Sequence, residues 1–461
     1  MKTPDKKSCK YKMNSSIVIR EEKDFYLIYD KKRRTLLQSE YDPRAFLENW
    51  NSLHTEDTTA INDLIENGVV VAVDSNVVSG DGDVEVVKGE AKAEVEAEAE
   101  DDEDSSVLSL SSFKSEINPF WILWEITPKC NLRCVYCLPK HKGCCQEIHN
   151  NDQELNTQEL LSIAAQIVSA NVFEVTITGG EALLSPSIWP VLDFLNENGI
   201  QCNVLSNGTT ITEDIAHKLS TYQTTVSVSV DSAKEEINSI TRGKKILEKS
   251  IRGIDLLKKY NIPVNIISTV TRHNFDHIED LFTWAKSYGI GSVVLQDLRA
   301  FQDLELYNSL RLTLAQENKL RVKLENLKSK YKSFLRSVCE LNSFHHSDRP
   351  YENQKVMDCP SGDHSAYLDH SGNLYPCSSL LTFCMGNLLK ENLTHIWQKS
   401  PAIVKLRKLK KQDVSTIHSC GGCPSSDVCG RGCRGDAEIT AGDLFARPSR
   451  CPERMQEELT E

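Results

Sequence analysis

Three cysteines on one short stretch, Cys130, Cys134 and Cys137 in CNLRCVYC, are spaced like thiolate ligands of a single inorganic centre. Three thiolates hold three irons of a 4Fe-4S cube and leave the fourth iron open to a small molecule. A structural zinc ion takes four protein ligands instead, and His141, Cys144 or Cys145 stand close enough in sequence to offer one. Seven more cysteines come late in the chain. Cys359 and Cys377 frame Gly372 as C-x12-G-x4-C, Cys420, Cys423, Cys429 and Cys433 read C-x2-C-x5-C-x3-C, and Cys451 follows. A zinc ribbon accounts for Cys420 to Cys433 taken alone but not for the whole set. At 461 residues the chain buries enough core to fold without staples, so its sixteen cysteines point to metal binding in a reducing compartment rather than to disulfides. Cys202 lies in an apolar run and reads as a small core residue. Cys9 and Cys339 have no motif around them, and Cys144 and Cys145 read as spare loop thiols.

These residues must be positioned, and the pattern between Trp121 and about Gln296 says how. The short apolar runs WILWEIT, FEVTIT, CNVLS, TVSVSV, VNIISTV and SVVLQ alternate with amphipathic segments. One such segment is Asn156 to Ala170, where Leu160, Ile163, Ala164, Ile167 and Val168 share a face and Asn156 with Glu159 forms a capping box. Six β/α units in series predict a parallel sheet curled into a partial (β/α)6 TIM-like barrel, with its site at the strand C-terminal ends. Polar signals recur at those ends. Thr178-Gly179-Gly180-Glu181 follows the second run, with glycines that let backbone approach a ligand and a carboxylate that accepts an ammonium group. Ser206 ends the third and Asn207-Gly208 follows it, Ser229 and Asp231 close the fourth, and Arg242-Gly243 opens the next segment.

Ahead of the barrel, IVIR and FYLIYD flank a turn at Glu21 to Asp24. Helices are expected near Pro43 to Trp50 and Thr58 to Glu66, the latter stopped at Asn67-Gly68, and VVVAV follows. Residues 81 to 104 hold twelve acids and two lysines without an aromatic and read as a disordered linker. That stretch supplies most of the net charge of −13; no basic footprint for nucleic acid remains elsewhere. Leu312 to Leu341 reads as a long helix, and the basic run KLRKLKK at 405 to 411 as a solvated helix face. No signal peptide opens the chain and no apolar run spans a membrane, so a cytoplasmic protein is expected. The predicted divisions are a small N-terminal α+β, winged-helix-like domain (1–78), the linker (79–115), the barrel (116–345) and a separate cysteine-rich module (346–461).

Taken in order, the C-x3-C-x2-C motif with Tyr136 before its last cysteine and the Gly179-Gly180-Glu181 motif resemble the radical S-adenosylmethionine (SAM) superfamily. The resemblance implies that the open iron chelates the methionine part of SAM, with Cys130, Cys134 and Cys137 holding the cluster and Glu181 the amino group. Ser206, Asn207 and Ser229 look like its ribose contacts and Arg242 like its carboxylate contact. The family reaction is reductive cleavage of SAM to a 5′-deoxyadenosyl radical, with an external electron donor such as flavodoxin or ferredoxin, and the cofactors supply the hard chemistry.

The later cysteines resemble the SPASM module of radical SAM peptide-modifying enzymes, which implies two auxiliary 4Fe-4S clusters and three in all. Its ligand pattern puts Cys359, Cys377 and Cys433 on the first and Cys420, Cys423, Cys429 and Cys451 on the second. The first is one ligand short: either its open iron takes a substrate thiolate, or Cys384, Asp363 or His364 closes it. The expected function is maturation of a ribosomally made precursor peptide, installing a thioether or carbon-carbon cross-link. The N-terminal domain is expected to bind the leader by strand addition, and the acidic tether to raise the effective concentration of the core peptide. Alternatives are a peptide epimerase, using Cys384 or Cys145 as hydrogen donor, and a formylglycine-forming sulfatase maturase. Ser378 departs from the aspartate that sulfatase maturases place after the cysteine matching Cys377. From another class comes a non-catalytic zinc-binding scaffold.

Overall fold

The computed structural model describes residues 118–138, 154–331, 359, 361–410, 420, 432–451, 454 and 455, together with the backbone of five short strands before residue 74. The chain divides into two compact units, Met1–Phe113 and Lys114–Glu461.

In the first unit β1 (Lys10–Met13) pairs antiparallel with β5 (Val70–Val73). Strands β2 (Ile17–Glu21), β3 (Tyr26–Asp30) and β4 (Thr35–Ser39) form an antiparallel meander in which Ile19 lies opposite Ile28 and Ile28 opposite Leu37. The hairpin expected around Glu21 to Asp24 is therefore present. Strands β1 and β4 went unread because KYKM and TLLQS are too short and too polar to announce themselves by alternation. The helices expected at 43–50 and 58–66, the acidic linker and the cysteines at 9, 144, 145 and 339 lie outside the described residues.

The second unit is built on one nine-stranded sheet, ordered β11-β10-β9-β8-β7-β6-β12-β13-β14. Its parallel part is the expected series: β6 (Trp121–Glu125), β7 (Glu174–Thr178), β8 (Gln201–Ser206), β9 (Thr224–Ser229), β10 (Val264–Val270) and β11 (Ser292–Asp297). Helices α1 (Thr157–Ser169), α2 (Ile188–Glu197), α3 (Glu213–Leu219), α4 (Glu235–Arg242), α5 (Ile246–Lys259) and α6 (Ile278–Ser287) form the crossovers, the α/β alternation of a partial barrel. Asn156 caps α1 as expected: its side chain accepts from Glu159 N while the Glu159 side chain accepts from Asn156 N. Leu160, Ile163, Ala164 and Ile167 are buried on the face read from sequence.

Successive strand residues point to opposite faces, and the two faces here differ in chemistry. Ile122, Trp124, Val175, Ile177, Val204, Val226, Val228 and Ile266 share one continuous core with the helices. Most alternate positions are polar, with Leu123, Leu205, Ile267 and Val294 as apolar exceptions, and several bond across strands: Trp121 Nε1 to Thr176 Oγ1 at 2.9 Å, Ser227 Oγ to Asn203 Oδ1 at 3.0 Å. The sheet thus offers a hydrophilic face away from the helices, which suits a polar ligand better than a packed core.

After β11 come α7 (Leu304–Leu310) and α8 (Leu314–Tyr331); the rest of the long helix expected to Leu341 lies outside the described residues. Then β12 (Ser365–Leu368) joins the barrel sheet, parallel to β6, and a hairpin adds β13 (Asn373–Tyr375) and β14 (Gly386–Asn387). Gly372 holds φ +82° at the hairpin turn, a left-handed conformation that a side chain would strain. The C-terminal cysteine region had been read as a separate module. Its first strand instead extends the sheet, because Ala366 and Leu368 complete the same apolar core. Helices α9 (Leu393–Lys399), α10 (Pro401–Lys410) and α11 (Arg434–Ala441) follow.

The basic run on α10 also departs from expectation. Lys405 and Lys408 are exposed, but Lys410 is buried. Its ammonium donates to the carbonyls of Cys359 and Ser361 and pairs with Asp363 Oδ2 at 2.5 Å. A buried ammonium is tolerated only when paired and fully hydrogen-bonded, and this arrangement ties α10 to the loop that carries Cys359.

Candidate active site

Cys130, Cys134 and Cys137 lie on the loop after β6, at the C-terminal end of the sheet. Residues 179 and 180 fix where that loop sits. Gly180 N donates to Thr127 O and Glu181 N to Lys129 O, each at 2.7 Å. A Cβ on Gly179 would come 2.5 Å from Thr127 O, and one on Gly180 would come 2.3 Å from Lys129 O. The glycines had been read as room for a ligand. The room is filled by the backbone of the cysteine loop, so these two residues set the distance between the motifs.

Glu181 is buried and surrounded by donors. It accepts from Ser206 Oγ at 2.8 Å, Asn207 N at 2.7 Å, Leu183 N at 3.4 Å and Thr210 Oγ1 at 3.5 Å. Burial raises its pKa, and these hydrogen bonds oppose the rise. A cation beside the carboxylate would favour its charged form, so the donor set fits the ammonium role inferred for it. Asn207 continues the network: its amide donates to Asn131 Oδ1 at 2.9 Å, and its carbonyl oxygen accepts from Thr209 Oγ1 at 2.6 Å. Its side chain also reaches the thiol of Cys130, whose pKa burial raises. The hydroxyl of Ser206 is likewise engaged within the protein, on Glu181 and on Gly208 N. Ser206 and Asn207 therefore join Glu181 to the cysteine loop.

A second network centres on Asp231, just past β9. Tyr136 and Thr241 each donate a hydroxyl to its Oδ2 at 2.6 Å, Thr269 N donates at 3.2 Å, and Arg242 lies 3.1 Å from both carboxylate oxygens. The Arg242 guanidinium stands over the Tyr136 ring, 5.7 Å from its centre. Burial pushes the Cys134 thiol up to about 11, opposed by Arg242 and reinforced by Asp231, Cys137 and Cys130. Arg242 had been read as a contact for the ligand's carboxylate. The structure pairs it with Asp231, and the arginine brings positive charge beside Cys134 and a fixed seat for Tyr136. Ser229 is half-buried at the end of β9, on the polar face. Asp231 was legible as a polar residue ending a strand; its role as the hub was not, since its four partners come from three other segments.

All ten described cysteines are free of disulfides. Cys359, Cys377 and Cys433 lie within electrostatic reach of one another: burial drives the Cys433 thiol up to about 12, with Cys377 and Cys359 reinforcing the rise, and Cys359 likewise acts on Cys377. Cys433 caps α11, where Asp436 N donates to its sulfur at 3.4 Å. Burial raises the pKa of Cys377, and Arg299 from the barrel opposes that rise while donating to Ser379 Oγ at 3.3 Å. Each of the three candidates for a fourth ligand has other contacts. Asp363 pairs with Lys410, His364 stacks on Phe120 at 6.0 Å, and Cys384 lies by Gly386, Tyr375, Asp369 and Glu391. Cys420 is half-buried and Cys451 buried, while Cys423 and Cys429 lie outside the described residues.

Among the described residues no group of His, Cys, Asp or Glu is arranged to hold a single metal ion. Burial raises the pKa of Cys130, Cys134, Cys377 and Cys433, so loading a metal on these thiols must displace their protons.

Residues 124–285 match the Radical SAM superfamily, and residues 359–424 match the iron-sulfur cluster-binding SPASM domain. The mycofactocin maturase MftC of Mycolicibacterium smegmatis is 26% identical over 343 residues, covering 73% of this chain and 83% of its own. An AdoMet-dependent heme synthase of Methanosarcina barkeri is 25% identical over 347 residues, 72% of this chain and 96% of its own. The crystal structure of Streptococcus suis SuiB bound to S-adenosylmethionine shares the fold at a TM-score of 0.65 and 14% identity, over 95% of this chain and 99% of that one.

Proposed function

Because this chain is a radical SAM protein with a SPASM domain after its barrel, we propose that it is a maturase of a ribosomally made precursor peptide, installing a thioether or carbon-carbon cross-link. When bound, a reduced 4Fe-4S cluster and SAM supply a 5′-deoxyadenosyl radical. The protein's work is to hold and shield. Cys130, Cys134 and Cys137 would hold the cluster, and Glu181, braced by Ser206, Asn207 and Thr210, would receive the amino group of SAM. Ser229, on the polar face, would line the ribose side, and the Arg242–Asp231 pair would seat Tyr136 against the cysteine loop. Cys359, Cys377 and Cys433 would hold a first auxiliary cluster, and Cys420, Cys423, Cys429 and Cys451 a second. The commitments of Asp363, His364 and Cys384 elsewhere favour a first cluster with one iron left for a substrate thiolate.

The observation that carries the reading is the placement of two cysteine groups by one sheet. Strand β6 delivers Cys130 to Cys137, and β12, paired with it, leads into the hairpin that ends at Cys377. A peptide substrate is supported by the likeness to a maturase over most of the chain, and by the strands before the barrel. Among described strands the β2-β3-β4 sheet leaves β2 and β4 as edges, and a leader peptide adds to such an edge. The heme synthase relatives favour a second reading, a small-molecule substrate handled by the same barrel. We therefore expect anaerobic protein, SAM, dithionite and the peptide encoded by a short neighbouring reading frame to yield a peptide lighter by two hydrogens per cross-link, with flavodoxin or ferredoxin replacing dithionite. Unchanged peptide beside active SAM cleavage would favour the small-molecule reading.

A further inference from the structure

The strand that joins the cysteine module to the barrel also brings a histidine to the active end of the sheet. Because β12 runs parallel to β6, with Leu368 beside Trp124, the residues after it emerge at the end that carries the cysteine loop. There His370 Nδ1 lies 2.8 Å from Glu125 Oε1, and Tyr367 donates its hydroxyl to the other oxygen of Glu125. Glu125 is the last residue of β6, beside Thr178 in the register, three positions before Glu181. Its side chain is 4% exposed and that of His370 is 16% exposed, so the carboxylate is sequestered and the imidazole is the member nearer solvent.

The charges around this pair come from three elements. Glu125 belongs to β6 and Tyr367 to β12. Glu154, just before α1, is close enough to His370 to feel its charge, and it is itself tied to Lys129 at 2.5 Å and to the hydroxyl of Thr127. Asp369, the remaining acid of the segment, is turned into the hairpin, where it accepts from Ser371 N and Asn373 N at 2.9 Å and from Tyr375 at 3.2 Å. Two carboxylates thus face one imidazole at the mouth of a polar barrel. With Glu125 accepting from Nδ1–H, a neutral ring has its basic lone pair on Nε2, the tautomer required of a proton acceptor.

Cross-linking two peptide groups removes two hydrogens. One leaves carbon as an atom, taken by the adenosyl radical. The other must leave as a proton, and the electron left over would be taken up by a cluster that Cys359, Cys377 and Cys433 would hold. Resting on the maturase reading, we propose that His370, positioned by Glu125, accepts that proton: the X–H bond of the substrate group breaks, its electron pair stays with X and joins the carbon radical to form the cross-link bond, the one surplus electron leaves, and Glu125 balances the imidazolium that forms.

The test uses full-length, cluster-loaded protein with the neighbouring-frame peptide deuterated at the abstracted carbon. His370→Gln is expected to leave deuterium transfer to 5′-deoxyadenosine within about twofold of wild type. Cross-linked product should fall by about a hundredfold, the scale of a lost general base, and the acid limb of the product pH profile should disappear. Glu125→Gln keeps a hydrogen-bonding side chain but removes the charge that supports the imidazolium. Its acid limb should move to lower pH, which a purely structural brace between β6 and β12 would not produce. Wild-type product rates and profile in His370→Gln would overturn the proposal, as would joint loss of iron and deuterium transfer in both variants. Failure of wild type to modify the peptide at all would instead count against the maturase reading.

Discussion

At the scale of single residues, the cysteines proposed as cluster ligands announce themselves by spacing, while the groups around them do not. Changing Cys130, Cys134 and Cys137 together to alanine should abolish 5′-deoxyadenosine formation under dithionite while leaving about eight irons per chain, the content of two remaining cubes. Retained SAM cleavage would refute the assignment. Lys410 shows what composition conceals. In the sequence it is one of several cations on a helix, yet its side chain is 3% exposed and paired with Asp363. Lys410→Met strands a buried carboxylate and should cost about 3–5 kcal/mol, measurable by denaturant unfolding of the metal-free protein, with iron lost from the C-terminal module. A double variant that adds Asp363→Asn should recover part of that loss. Asp231 and Glu125 were obscure for a related reason: their partners lie across the fold, so no local pattern reveals them.

At the scale of elements, periodicity was informative wherever a segment buries one face, and six strands and the capped helix α1 are where the apolar runs put them. Strand β12 was not legible, because SAYL sits among loop-rich, cysteine-rich sequence and its apolar residues find their core only beside β6. The turn after β7 carries the sharpest prediction at this scale. Gly180→Ala puts a methyl group against Lys129 O and should push the cysteine loop away from Glu181. Overpacking of this kind costs about 1–3 kcal/mol, and the expected signature is lower stability together with reduced iron at the barrel site. Wild-type stability and iron content would show that the turn yields, and that the distance between the two motifs is not held by this contact.

At the scale of the molecule, the chain divides into two compact units. The unit Lys114–Glu461 contains the sheet, the cysteine loops and the residues proposed to bind SAM. Deleting residues 1 to 78 should therefore weaken precursor binding, measured by fluorescence anisotropy of a labelled peptide, while uncoupled SAM cleavage persists. Loss of both would make the N-terminal strands part of the catalytic fold. The central claim concerns what the ten motif cysteines hold, and it is tested most directly by iron and acid-labile sulfide analysis of anaerobically purified protein. Three cubes require about twelve irons per chain with matching sulfide; zinc without sulfide would contradict the account.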